Sequence, residues 1–154
     1  MINRLAIFLL CLFIFSSCSG SNSRALAAKY SKEKKYEEAI QEYRNHIQER
    51  LKVTSRPEWE NPYIYLLDIG DLYLEQGNVE EALATYKEAS EHEVKKSYIA
   101  DRYRYVANWY ANKGDIKSAL KLLEKNREQD PLLFDLMLDR LARQLIKEED
   151  NKEK

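Results

Sequence analysis

The sequence predicts an all-α chain, and three observations carry the prediction. Four Gly and three Pro among 154 residues leave few of the turn formers that a β-sandwich or a glycine-dependent nucleotide fold needs. Long stretches are rich in Glu, Lys, Leu, Ala and Tyr, whose apolar members recur at helical spacing. Ala27, Tyr30, Ala39 and Tyr43 recur as Gly70, Tyr73, Ala82 and Tyr86, and again as Ala107, Tyr110, Ala119 and Leu123. The internal spacing is identical in each set, which implies three helical hairpins.

The first eighteen residues read as an export signal. Arg4 is followed by an apolar run from Leu5 to Phe15 and then by Ser16-Ser17-Cys18. As a helix that run spans about 16 Å, short of a roughly 30 Å hydrocarbon core. Phe15-Ser16-Ser17-Cys18 resembles the lipobox of bacterial lipoproteins, with Phe15 departing from the usual Leu. The resemblance implies cleavage before Cys18 and diacylglyceryl attachment to its thiol; ordinary signal cleavage stays open. Residues 1–17 are thus expected to be a signal peptide and 18–22 a lipidated, flexible tether. Ser19 after the cysteine points to the outer membrane under that resemblance. Cys11 leaves with the signal and Cys18 takes lipid, so no thiol is left for a disulfide or a metal.

Helices are then expected over Ser23 to Glu33, Tyr36 to Lys52, Pro62 to Glu75, Val79 to His92, Lys96 to Lys113 and Ile116 to Gln129. Gly77 and Gly114 suit the left-handed position that ends a helix, and Asn78 with Glu81 reads as a capping box. The first hairpin has Lys34-Lys35 where the others have Gly. Tyr73 and Tyr110 are expected to fill the gaps beside the small residues. A seventh helix starts at Asp130-Pro131, its apolar set Leu133, Leu136, Met137, Leu141 and Leu145 covering the last hairpin. The helical domain is placed at 23–149, with 150–154 a frayed tail because residues 147–154 carry no apolar side chain. In the long connection from Val53 to Asn61, Trp59 either folds back onto the helices, the favoured reading, or serves as a contact residue.

These spacings resemble the tetratricopeptide repeat family. Leu66, Ile69-Gly70, Tyr73, Gly77, Ala82, Tyr86 and Ala89 match its pattern best. Tyr103, Val106-Ala107, Tyr110, Gly114, Ala119 and Pro131 give a second match, which departs at Leu123 and Asn126. The first unit is weakest: Ser23 stands for a bulky residue, Lys34 for the hairpin Gly and His46 for a small residue. The resemblance implies a right-handed stack of three hairpins plus a capping helix, with a concave face that receives a peptide or helix of a partner protein. Carried onto this chain, that face includes Arg24, Lys32, Asp71, Glu75, Asp101, Arg104, Asn108 and Asn112. Carboxylate clamps of the family use converging Lys, Arg and Asn; Arg104 and Asn108 fit, while Asp71 and Asp101 oppose an anion-seeking groove.

The 25 basic and 26 acidic side chains give a net charge of −1, against a polyanion-binding surface, and no nucleic-acid partner is expected. His46 and His92 without free Cys leave no Cys/His metal cluster, and no glycine-rich phosphate loop occurs, so neither metal nor cofactor is expected. Acidic pairs such as Asp68 with Asp71 and Glu80 with Glu81 read as solvated helix charge rather than catalytic carboxylates. Lys29, Lys32, Lys34 and Lys35 read as a solvated face, with anionic lipid headgroups as the alternative ligand. The expected function is a non-enzymatic, lipid-anchored protein-interaction scaffold in the bacterial envelope, on the periplasmic side of the outer membrane. The alternative is a periplasmic accessory binding a small apolar ligand between Ile64, Leu67 and Leu74.

Overall fold

The computed structural model describes residues 22–152, so the signal peptide, Cys18 and most of the tether lie outside the described residues. Seven α-helices are described: α1 Ser23–Lys32, α2 Tyr36–Leu51, α3 Tyr65–Glu75, α4 Val79–Glu91, α5 Lys96–Asn112, α6 Ile116–Lys125 and α7 Pro131–Lys152, with 3-10 turns at Pro62–Ile64 and Arg127–Gln129. The fold is all-α: three helical hairpins followed by a trailing helix. The chain divides after Thr54 into two compact units. The first contains hairpin α1/α2; the second contains α3/α4, α5/α6 and α7, each packed on its sequence neighbour. Among the described residues, no helix is long and apolar enough to cross a membrane.

Four helix ends, those of α1, α3, α4 and α5, share one backbone device. Lys35, Asn78, Val94 and Asp115 each donate their N–H to the carbonyl five residues back, at 2.9 to 3.0 Å, so that the last turn closes on itself. The residue before each donor is left-handed: Gly77 and Gly114 at φ 83 and 82, but Lys34 at φ 57 and Glu93 at φ 60. A Cβ in this region costs about 1–2 kcal/mol, partly offset by the larger unfolded-state entropy of glycine. Lys34→Gly and Glu93→Gly are therefore expected to stabilise the chain by about 0.5–1 kcal/mol each. Urea unfolding checks this, and a loss of stability in both variants would contradict it.

One of the expected helix caps does not form. Asn78 makes no side-chain cap bond, so the expected capping box with Glu81 does not form. Asp115 does cap, its carboxylate accepting the Ser118 N–H at 3.0 Å. The Ser118 side chain and then its backbone N–H hold the Asp115 carboxyl below the usual range. This capping contribution is present above the ordinary carboxylate pKa and is lost as pH falls through the lowered folded value. Asp130 caps α7 through the Leu133 N–H at 3.1 Å, as expected.

Two predicted helices are shortened, each beside an asparagine. Asn61 accepts the Tyr63 N–H at 3.0 Å and turns Pro62–Ile64 into a 3-10 entry, so α3 begins only at Tyr65. Asn61 also donates to the His92 carbonyl at 2.8 Å, and the Tyr63 and His92 rings stack at 3.6 Å, fastening this entry to the end of α4. Asn126 donates its side-chain amide to the Leu122 carbonyl at 2.8 Å and ends α6 at Lys125, short of Gln129.

The cores are built from the repeated positions. Ala27, Ala39, Ala82, Ala107 and Ala119 are all fully buried. In the second unit the rings of Tyr86, Tyr103 and Phe134 are buried, whereas Tyr73 and Tyr110 are half-buried. Gly70 lies directly against Tyr86: a Cβ there would come within 2.2 Å of the Tyr86 ring. In the first unit, buried Ser23 donates its hydroxyl to Glu49 at 2.7 Å and sits 3.4 Å from His46 Nδ1. The small residue at the bulky site thus faces the large residue at the small site, and the exchange of sizes is complementary.

Three expectations about surfaces change. Trp59 is 84% exposed and does not fold back. On α7 the buried side chains are Phe134, Met137 and Leu141; Leu136 faces outward with Leu132. The polar end of α7 remains helical through Lys152, beyond the expected boundary at 149, with Gln144 donating to Glu148 and Lys117 of α6 lying 3.7 Å from Glu149.

Candidate functional site

Within the second unit, α3 and α5 border an open groove of about 330 Å³ lined by Asp71, Glu75, Asp101, Arg102, Arg104 and Tyr105. Asp71 and Glu75 are four residues apart on α3; Asp101, Arg104 and Tyr105 stand at helical spacing on α5, and so share a face. Helix geometry therefore delivers the charges, while the packing of hairpins α3/α4 and α5/α6 brings together residues some thirty positions apart in the chain.

Asp71 is the organising carboxylate. It accepts the Tyr86 hydroxyl at 2.8 Å, Arg102 Nε at 3.1 Å to both oxygens and Arg102 Nη2 at 2.9 Å. The Asp71 and Arg102 side chains are only 33% and 29% exposed, so their fork-to-fork pairing is stronger than an exposed bridge, for which about 0–1 kcal/mol is usual. Burial first, then the Asp71 charge and its hydrogen bond, push the Tyr86 phenol well above its ordinary pKa, keeping it a neutral donor. Tyr86 thus packs beneath Gly70 and at the same time aims Asp71. On the neighbouring turn Arg104 donates to Asp101 at 3.0 Å, a more exposed pair. Glu75, exposed at the end of α3, has no ion pair or hydrogen bond among the described residues.

Of the eight residues expected on a partner-binding face, Asp71, Glu75, Asp101 and Arg104 line this groove. Asn108 instead accepts Arg140 Nη2 at 2.8 Å and ties α5 to the trailing helix. Asn112 is exposed at the last turn of α5, outside the groove lining. Arg24 and Lys32 are exposed on α1, in the first unit. Within the basic cluster of that unit, Lys35 and Lys29 approach Glu33 at 2.7 and 3.9 Å.

Arg102 was not singled out by the sequence, since its partner Asp71 is thirty-one residues away and no local spacing marks the pair. Tyr105, one turn after Asp101 and next to Arg104 on α5, is 58% exposed at the groove. Leu67 and Leu74, expected in the apolar-pocket alternative, are 3% and 2% exposed core residues, while Ile64 is 39% exposed. The groove has five charged side chains and one phenol in its lining. Among the described residues, no group of three or more His, Cys, Asp or Glu could hold a metal ion.

A family model described as Tetratricopeptide repeat matches residues 66–96, the stretch with the fullest set of repeat positions in the sequence. No curated protein matches the sequence. Among solved structures, the TPR2AB domain of yeast Sti1, determined in its pHSP90 complex, is similar with a TM-score of 0.59 at 20% identity. The match covers 86% of this chain and 50% of that one, so the chain spans about half the length of that relative. The likeness is one of fold, and the chain has the paired-helix fold of a tetratricopeptide repeat protein.

Proposed function

We propose that the chain is a non-enzymatic scaffold whose α3/α5 groove docks a segment of a partner protein. The observation that carries this reading is the groove itself, open to solvent and lined by polar groups on two rigid helices. Its floor is preorganised by the Tyr86, Asp71 and Arg102 bonds, and preorganised surfaces lose less free energy on binding. Lipid on Cys18, residues 1–17 as the removed signal, 18–22 as tether and a place in the bacterial envelope complete the proposal. Its support there is the sequence of Leu5 to Cys18.

A photoreactive benzoylphenylalanine in place of Tyr105 tests the docking face in living cells. A reproducible protein adduct that disappears when Asp101→Lys is added is the expected result; no adduct, or one indifferent to that change, overturns the groove assignment. Palmitate labelling tests the anchor: incorporation is expected in the natural chain and none in Cys18→Ser.

A further inference from the structure

We infer that the groove receives a lysine or arginine side chain of the partner segment rather than a carboxylate; this rests on the docking reading above and names its chemistry. The two cations that could attract an anion are already engaged. Arg102 is held by both oxygens of Asp71 at 3.1 Å, and Arg104 by Asp101 at 3.0 Å. An incoming carboxylate would find both guanidinium charges already neutralised, and to take over their paired Nε and Nη2 donors it would have to compete with a carboxylate tethered on the same scaffold at high effective concentration. Displacement would also leave Asp71 or Asp101 unpaired, at the cost of a stranded charge.

The unspent charge is negative. The lining contains Asp71, Glu75 and Asp101 against Arg102 and Arg104, so pairing leaves Glu75 as the surplus. Glu75 is also the last residue of α3, and no basic residue stands in that last turn. The carbonyl end of the helix dipole therefore adds to the potential of the carboxylate instead of being compensated by a cation. Tyr105, 58% exposed in the same lining, offers a ring to an ammonium or guanidinium. The net charge of the whole chain is only −1, so this preference is local and not a long-range field. A volume of about 330 Å³ is near the lower end of the size of ligand sites and suits a single side chain with its adjoining backbone.

A random dodecapeptide library, displayed with its C-terminus fused, can be panned against the full chain. Selected peptides are then synthesised with amidated C-termini, and crosslinked to protein carrying benzoylphenylalanine in place of Tyr105. Crosslinking peptides are expected to be enriched in Lys or Arg and to weaken with added salt. Binding should fall about tenfold in Glu75→Lys and about threefold in Glu75→Gln and Tyr105→Leu, with circular dichroism showing each variant folded. Peptides that crosslink but show no cationic enrichment, bind Glu75→Lys equally well or require a free C-terminal carboxylate would overturn the inference while leaving the docking face standing. Absence of any crosslinking peptide would overturn both.

Discussion

Gly70→Ala is expected to destabilise the second unit by about 3 kcal/mol, although alanine is the better helix former by about 1 kcal/mol in an ordinary helix interior. The reason is a single approach: the new methyl would stand 2.2, 2.7 and 2.8 Å from three carbons of the Tyr86 ring. That ring cannot swing aside cheaply, because Tyr86 is fully buried and its hydroxyl is bonded to Asp71. The clash must be relieved by separating α3 from α4, which exposes core on both helices. Thermal unfolding should show a midpoint lowered by more than about 10 °C for a unit of this size. In a Tyr86→Ala background the obstacle is gone, and the same Gly70→Ala change should become neutral or stabilising by up to about 1 kcal/mol. A Gly70→Ala protein as stable as the natural chain would show that Gly70 does not lie against the Tyr86 ring.

Phe134→Ala is expected to cost about 3–5 kcal/mol, the usual range for removing a fully buried phenylalanine. Phe134, Met137 and Leu141 form the buried face of α7, and Phe134 is its largest side chain with no exposure. Its loss should free the trailing helix before the rest of the unit opens, so hydrogen exchange in α7 should accelerate more than in α3 or α4. Leu136→Ala, two residues away on the opposite side of the helix at a site 65% exposed, should change stability by less than about 0.5 kcal/mol. Equal effects of the two substitutions would mean that the helix packs on its other face.

Much of the fold is legible in the sequence because it depends on local geometry. The small residues at Gly70, Ala82, Ala107 and Ala119 and the turn glycines at Gly77 and Gly114 recur at fixed spacing, and helical periodicity converts that spacing directly into buried faces. Where the reading failed, a side chain had a choice that spacing does not encode. Asn126 could have stayed in a helix but bonds the Leu122 carbonyl, and Asn61, just ahead of a predicted helix, bonds the Tyr63 N–H and delays the start of that helix. Lys34 and Glu93 adopt the left-handed turn without glycine, at the hairpin turn after α1 and at the connection after α4, each carrying a strain of about 1–2 kcal/mol. Trp59 has the composition of a buried residue and remains exposed.

The candidate site divides the same way. Asp71, Glu75, Asp101 and Arg104 are placed on one face by the resemblance to the repeat family, and helical spacing keeps each pair on one side of α3 or α5. Arg102 is not placed there, since nothing within α5 marks it as the partner of a carboxylate on α3. Asn108 fits a clamp by residue type yet is used by Arg140 of the trailing helix.

The sequence by itself determined the all-α class, the hairpin pairing and the helix faces, because each follows from interactions within a few residues or from a repeated interval. Tertiary structure alone decided which charges are spent. A guanidinium looks the same in a sequence whether it is available to a ligand or already bonded, and only the packing of α3 against α5 sets Arg102 on Asp71 and leaves Glu75 over. Electrostatic character is a property of pairs, and these pairs are made across helices.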